Sequence, residues 1–216
     1  MTAGLSPGRW RLCVIVDGVD RPGRSHLHVA RAAIEGGADV LQLRDKGAPG
    51  GRLFRVARQL RKITRAAGVA FIVNDRLDIA LASDADGVHV GQADLPASAV
   101  RRILGPGKIV GVSVETVGEA LQAEKDGADY LGVGPVFEAR GTKPDAGEPL
   151  GVSRIARIRR RSRLPIVAIG GVDAGNARQV REAGADAAAV ISAVVAADDI
   201  VRAARRMKRI LKGAGQ

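Results

Sequence analysis

The sequence predicts an α/β protein folded as a single-domain (β/α)8 TIM barrel, and three observations lead there. Short, β-branched apolar runs alternate eight times with longer stretches of helical periodicity. The runs are almost continuously apolar, as strands covered on both faces must be, and this favours a closed parallel barrel over an open sheet. The length, 216 residues, suits one such barrel with a substantial core. Residues 1–216 are therefore read as one domain without linker or low-complexity tract, 1–9 and 212–216 being flexible ends.

The first strand is expected over Leu12 to Val16, followed by a helix over His28 to Glu35. Strand two, Val40 to Leu43, leads to the helix Gly51 to Ala66, and strand three, Ala70 to Val73, to a short helix over Leu77 to Ala82. Strand four, Gly87 to Val90, precedes a helix over Ala97 to Leu104, where Pro96 suits a first turn. Strand five, Ile109 to Val112, is followed by the helix Val117 to Lys125, and strand six, Tyr130 to Val133, by the helix Val152 to Arg161. Strand seven, Ile166 to Ile169, and strand eight, Ala188 to Ile191, alternate with helices over Ala174 to Ala183 and Asp198 to Leu211. Gly-Gly-Ala-Asp (36–39), Asp-Gly-Ala-Asp (126–129) and Ala-Gly-Ala-Asp (183–186) each close a helix just before a strand. Glycine there ends the helix in the left-handed conformation, so the repeat reads as structural punctuation.

Composition narrows the class further. Hydrophobic residues make up 46% of the chain and aromatics only 2%, so the core is built from Val, Ile, Leu and Ala. No apolar run approaches the ~20 residues of a membrane span, and Met1 to Trp10 lacks the pattern of a signal peptide. The one cysteine, Cys13, forms no internal disulfide, which fits a reducing, cytoplasmic setting. The net charge of +11 collects in Arg157 to Arg163 and Arg202 to Lys212 at helical spacing. Nucleic-acid binding is disfavoured, because one Trp, one Tyr and three Phe offer little stacking surface. Solvated helix faces and a few phosphate-binding side chains account for the charge better. Self-association is left open.

Chemistry in such barrels gathers at the C-terminal ends of the strands. After strand two, Gln42, Arg44 and Lys46 alternate with leucines, so they share the face toward the barrel mouth while Leu41 and Leu43 face the helices. Two cations on one face await an anion, unless an internal salt bridge takes Arg44. Asn74 and Asp75 follow strand three, and Asp94 follows strand four. Each acid could merely cap the next helix. As a pair on adjacent strands they instead suit a cation, and Mg2+ takes one or two carboxylates alongside water and phosphate oxygens. His89, inside strand four, reads as a hydrogen-bonded interior residue rather than a ligand. Ser113 offers a hydroxyl after strand five; the loop from Glu138 to Pro149 holds Arg140, Thr142 and Lys143 and has the make-up of a lid. Strands seven and eight end in Gly170-Gly171 and Ile191-Ser192, turns whose amides suit a phosphate.

These residues, in order, resemble the thiamine-phosphate synthase family across nearly the whole chain: Gln42-Leu43-Arg44-Asp45-Lys46, Asn74-Asp75-Arg76, Gly87 to Asp94, Gly111-Val112-Ser113, Gly132 to Phe137, Thr142-Lys143 and Ile169-Gly170-Gly171. The resemblance implies an enzyme that joins 4-amino-2-methyl-5-(diphosphooxymethyl)pyrimidine to thiazole phosphate with Mg2+, releasing pyrophosphate. It implies that Gln42, Arg44, Lys46 and Asn74 hold the pyrimidine diphosphate with Lys143 on its phosphates, that Asp75 and Asp94 bind Mg2+, and that Ser113 lies near the pyrimidine. Arg44, Lys46, Ser113 and Lys143 would be the catalytic set, Thr142 would bind substrate, and Gly171, Ile191 and Ser192 would receive the thiazole phosphate through backbone amides. Two departures stand out. The family's Thr-X-Thr-Lys run is here Ala139-Arg140-Gly141-Thr142-Lys143, and its Leu-Tyr in strand one is Leu12-Cys13. A related thiazole tautomerase would have its catalytic His after strand six, where this chain has Pro135. A non-catalytic phosphate- or nucleic-acid-binding protein is the rival from another class.

Overall fold

The computed structural model describes residues 6–17, 24–138 and 148–213. The strands β1 (Leu12–Asp17), β2 (Val40–Arg44), β3 (Ala70–Asn74), β4 (Gly87–Val90), β5 (Ile109–Val114), β6 (Tyr130–Val133), β7 (Ile166–Ile169) and β8 (Ala187–Val190) close into a parallel barrel in sequence order. Around them stand α1 (His26–Glu35), α2 (Gly50–Ala67), α3 (Leu77–Ala82), α4 (Ala97–Leu104), α5 (Val117–Lys125), α6 (Val152–Arg159), α7 (Ala177–Glu182), the short α8 (Ser192–Val195) and α9 (Ile200–Lys212). The predicted barrel is thus the observed one. The differences fall at element ends, most visibly in β5, which runs on to include Ser113, and in α8, whose four residues are too few to carry a periodic signal. Within the expected flexible N-terminus, Pro7–Arg9 form a 3-10 turn in which Pro7 is buried.

The two-residue period of the strands separates two cores. Leu12, Val14, Val16, Leu41, Leu43, Phe71 and Val73 pack outward against the helices. Cys13, Ile15, Val40, Ala70, Ile72 and Ile109 fill the barrel interior. Trp10, just ahead of β1, is almost fully buried among them and meets Tyr130 edge-on, ring centroids 5.2 Å apart. Cys13 is part of this packing, and burial, then the nearby Asp39 charge, push its thiol up to about 12, so it is held as the unreactive thiol.

The recurring Gly-Ala-Asp sequence does more than end helices. Asp39, Asp86, Asp129 and Asp186 each directly precede an even-numbered strand, and each turns its carboxylate onto the first amides of the strand before it. Asp39 Oδ2 accepts from the Leu12 amide (3.0 Å), Asp86 Oδ2 from Phe71 (2.8 Å), Asp129 Oδ2 from Val110 (2.7 Å) and Asp186 Oδ2 from Ile166 (2.8 Å). A cation from the helix that comes before that odd strand around the barrel completes each clamp: Lys208 of α9, Arg61 of α2, Arg101 of α4 and Arg159 of α6 respectively. The N-terminal rim therefore has fourfold pseudo-symmetry. The fourth copy lies in Ser83-Asp84-Ala85-Asp86, where Asp84 adopts the positive φ (53°) that Gly37, Gly127 and Gly184 supply elsewhere. Asp can visit that region because its short polar side chain bonds locally.

Candidate active site

At the opposite rim, β2 delivers Gln42 and Arg44, both nearly buried, into the barrel mouth. This is the side predicted from their alternation with Leu41 and Leu43. Arg44 does have an internal partner: Asp17, its in-register neighbour at the end of β1, accepts from Nη1 at 2.7 Å. The structure thus joins the two readings offered for Arg44, because the pair anchors one edge of the guanidinium at the rim. Asp45 turns the other way, toward the His26 imidazole of α1 at 3.7 Å. Half-exposed Lys46 lies beyond the strand, its ammonium 3.9 Å from the Asp75 carboxylate.

Neither acid caps a helix. Asp75 sits at φ 60°, its amide donates to the His89 carbonyl (2.8 Å), and the cap position of α3 belongs to Arg76. Asp94 closes its own turn by accepting from the Gly91 amide at 2.8 Å, and α4 begins after Pro96 without a side-chain cap. The two carboxyl groups face each other. Asp75 is pushed up to about 6, first by burial, then by the charge of Asp94 and a hydrogen bond with it, against the lowering influence of Lys46 and Arg44. Two acids crowded beside two cations form a site that favours a divalent ion carrying further negative ligands. Among the described residues no cluster of three or more His, Cys, Asp or Glu could hold a metal. The two carboxylates of Asp75 and Asp94 could serve an ion such as Mg2+, which takes one or two carboxylates and completes its shell with water and phosphate oxygens.

Below this rim lies a narrow cavity of about 30 Å³, lined by Gln42, Asn74, His89, Ser113, Tyr130 and Cys13 among others. His89 is the interior hydrogen-bonded residue expected of it: Nδ1 bonds Tyr130 Oη at 2.9 Å and Nε2 bonds Ser113 Oγ at 2.8 Å. A second, wider cavity of about 400 Å³ opens between the ends of β7 and β8, lined by Phe137, Gly171, Asp173, Asn176 and Ser192. Gly171 adopts φ 62°, and a Cβ there would fall 2.5 Å from the Glu138 carbonyl oxygen, so only glycine brings these loops together. Asn176 Nδ2 donates to the Gly171 carbonyl at 2.9 Å, shaping the turn. Ile191 holds the N-cap position of α8, and Ser192 starts it. Thr142 and Lys143 lie outside the described residues.

Asp17, Tyr130, Asp173 and Asn176 belong to this region and were not picked out from the sequence. For Asp17 a signal existed, an acid ending an otherwise apolar run. Tyr130 opens its strand at the far end from the rim, so strand-end reasoning passes it by.

Residues 12–194 match the family model described as thiamine monophosphate synthase. The chain is 54% identical to a thiamine-phosphate synthase of Chloroflexus aurantiacus over 94% of its length and 93% of that protein's. It is 51% identical to the thiamine-phosphate synthase of Moorella thermoacetica, over 94% and 96% of the two chains. A solved thiamine phosphate pyrophosphorylase from Pyrococcus furiosus superposes with a TM-score of 0.86 at 40% identity, covering 95% of this chain and 97% of that one. With the motifs, the barrel and these matches in agreement, the chain belongs to the thiamine monophosphate synthase family.

Proposed function

We propose that the chain couples 4-amino-2-methyl-5-(diphosphooxymethyl)pyrimidine with thiazole phosphate to form thiamine phosphate and pyrophosphate, with Mg2+ as cofactor. The observation that carries the reading is the acid pair Asp75 and Asp94, crowded together beside Arg44 and Lys46 directly over the Gln42, Asn74 and Ser113 cavity. A lone cation site would not need Arg44 and Lys46, and a simple anion site would not need the two acids. A metal-bound diphosphate satisfies both.

In the reaction the thiazole nitrogen donates its lone pair to the pyrimidine methylene carbon, and the carbon–oxygen bond to the diphosphate breaks with its electron pair leaving on pyrophosphate. No proton has to move from the attacking nitrogen, so no Ser–His–Asp or Cys–His set is required. Bound Mg2+ would supply charge neutralisation on the diphosphate. Arg44 and Lys46, with Lys143 from the loop, stabilise the negative charge that grows on the departing group. Gln42 and Asn74 hold the pyrimidine, and Ser113 lies beside it. The turns at Gly171 and at Ile191 and Ser192 receive the thiazole phosphate, which sets the nitrogen in line with the methylene.

The tautomerase alternative finds no support at β6. Of the three histidines, His26 and His28 stand on α1 and His89 within β4, so the position after β6 is held by Pro135. The deciding experiment supplies both phosphorylated halves and Mg2+ and follows thiamine phosphate. Product is expected, and Asp75→Ala or Asp94→Ala should nearly abolish it. Absence of product, or full activity in both variants, sinks the synthase reading. Strong salt-sensitive binding of DNA or RNA without turnover would favour the binding rival.

A further inference from the structure

We propose that Cys13 is a specificity-determining residue: with Trp10 and Tyr130 it forms a floor that limits the size of the group the pyrimidine substrate carries at ring carbon 2. The identity of that substrate rests on the synthase reading; the floor itself does not.

The strand bounds order the cavity wall by depth. Asn74 and Ile169 end β3 and β7, Ser113 is second from the end of β5, and Gln42 is third from the end of β2. Cys13 is fifth from the end of β1, Tyr130 opens β6, and Trp10 lies ahead of β1 altogether. All of these line the one cavity, which therefore runs from polar groups near the rim down to three buried side chains.

The rings around this floor are fixed by the sheet. His89 on β4 is in register with Gly111 on β5, and Gly111 with Tyr130 on β6. A Cβ on Gly111 would fall 2.1 Å from Tyr130 Cζ, so the phenol ring occupies the place of the missing side chain. A Cβ on Gly132 would fall 2.8 Å from His89 Cε1, so this glycine makes room for the imidazole. Close approach by a neighbour is what a glycine inside a strand marks. Trp10 in turn meets Tyr130 edge-on. Among the three floor residues Cys13 is the small one, and a buried, protonated thiol packs as a small apolar group.

The chemistry of the substrate says what reaches this floor. The methylene that carries the diphosphate is attached to carbon 5 of the pyrimidine, and carbon 2 lies directly across the ring. A diphosphate held at the rim by Asp75, Asp94, Arg44 and Lys46 therefore leaves the 2-methyl group as the innermost part of the molecule. The cavity measures about 30 Å³. One water takes ~10–15 Å³ of such space, so there is room for about two or three non-hydrogen atoms, enough for a ring substituent and too little for the ring. Val167 and Ala189 flank the space and Cys13 lies beneath them, an apolar setting that suits an alkyl group.

A series of pyrimidine diphosphates with hydrogen, methyl, ethyl or propyl at carbon 2 tests the floor. In the parent protein kcat/KM for the ethyl compound should stay within roughly threefold of the methyl compound, and the propyl compound should fall at least roughly tenfold below it, the usual cost of one methylene too many. Cys13→Ala should recover the propyl compound. Cys13→Val should reject the ethyl compound at least roughly tenfold while the unsubstituted compound and the KM for thiazole phosphate stay at parental values. Trp10 is the one tryptophan of the chain, so its fluorescence follows binding without turnover. Dissociation constants titrated in this way, with Mg2+ and no thiazole, should show the same order of sizes, and they judge the floor even when no thiamine phosphate forms and the synthase reading fails. A parent that takes the propyl compound as well as the methyl one overturns the proposal. So do folded Cys13→Ala and Cys13→Val proteins that rank the four compounds as the parent does.

Discussion

The ammonium of Lys46 stands 3.9 Å from the carboxylate of Asp75, and Asp94 crowds the same carboxylate. The net effect raises Asp75 to about 6, with burial the largest cause and Asp94 the next. A folded-state acid held above its unfolded value retains a proton that the unfolded chain has already released. The metal-free protein therefore loses stability as pH rises from about 4 to about 6, and the penalty is complete above that range. In Asp75→Asn this slope should vanish, and in EDTA at about pH 7.5 the variant should melt roughly 2–6 °C higher than the parent. Thermal melts across the range decide it; a parent whose stability climbs between pH 4 and 6 through Asp75 contradicts the geometry.

Asp17 holds one edge of the Arg44 guanidinium at 2.7 Å. Asp17→Ala removes that hold while leaving the Arg44 charge at the rim. The expected result is a KM for the pyrimidine diphosphate raised about tenfold, with kcat changed much less, since orientation in the ground and transition states is lost together. Steady-state kinetics check this. A loss confined to kcat would mean that Asp17 acts on the chemical step instead.

The four clamps at the N-terminal rim differ in quality. Arg101 donates to the Gly105, Lys108 and Gly127 carbonyls as well as to Asp129, the last at 2.5 Å, whereas Arg159 reaches Asp186 only at 3.5 Å. Arg101→Ala should cost about 2 kcal/mol or more, because several partly buried acceptors lose their donor. Arg159→Ala, which removes the 3.5 Å contact with Asp186 and the bond to the Leu164 carbonyl, should cost less. Urea unfolding of both variants makes the comparison, and kcat of either folded protein should remain at the parental value.

Gly111 and Gly132 separate stability from chemistry. Gly111→Ala drives a methyl into the ring of a buried tyrosine and should cost at least ~3 kcal/mol. Gly132→Ala meets only the edge of His89, so the protein should fold and lose turnover while keeping its thiazole phosphate KM. Expression, melting temperature and kinetics of the two variants would separate these outcomes, and equal destabilisation would contradict the packing described.

Much of the barrel could be read directly from the chain, because its local codes are strong. Leu41 and Leu43 alternate with Gln42 and Arg44, and a period of two must send them to opposite faces. Asp75 and Asp94 each follow an apolar run, which puts them at strand ends and, in a closed parallel barrel, on the same rim. What eluded this reading depended on contacts between distant segments. The fourth rim clamp escaped notice because Asp84 stands where the other three copies have glycine. Asp17 became Arg44's partner only through the register of β1 on β2. Local sequence determined the elements, their faces and the acids and cations at their ends, since propensity and periodicity act over a few residues. Barrel closure decided that Asp75 and Asp94 share one site and that His89 meets Tyr130 over Gly111, because strand register arises from packing the whole sheet and no short stretch of chain encodes it.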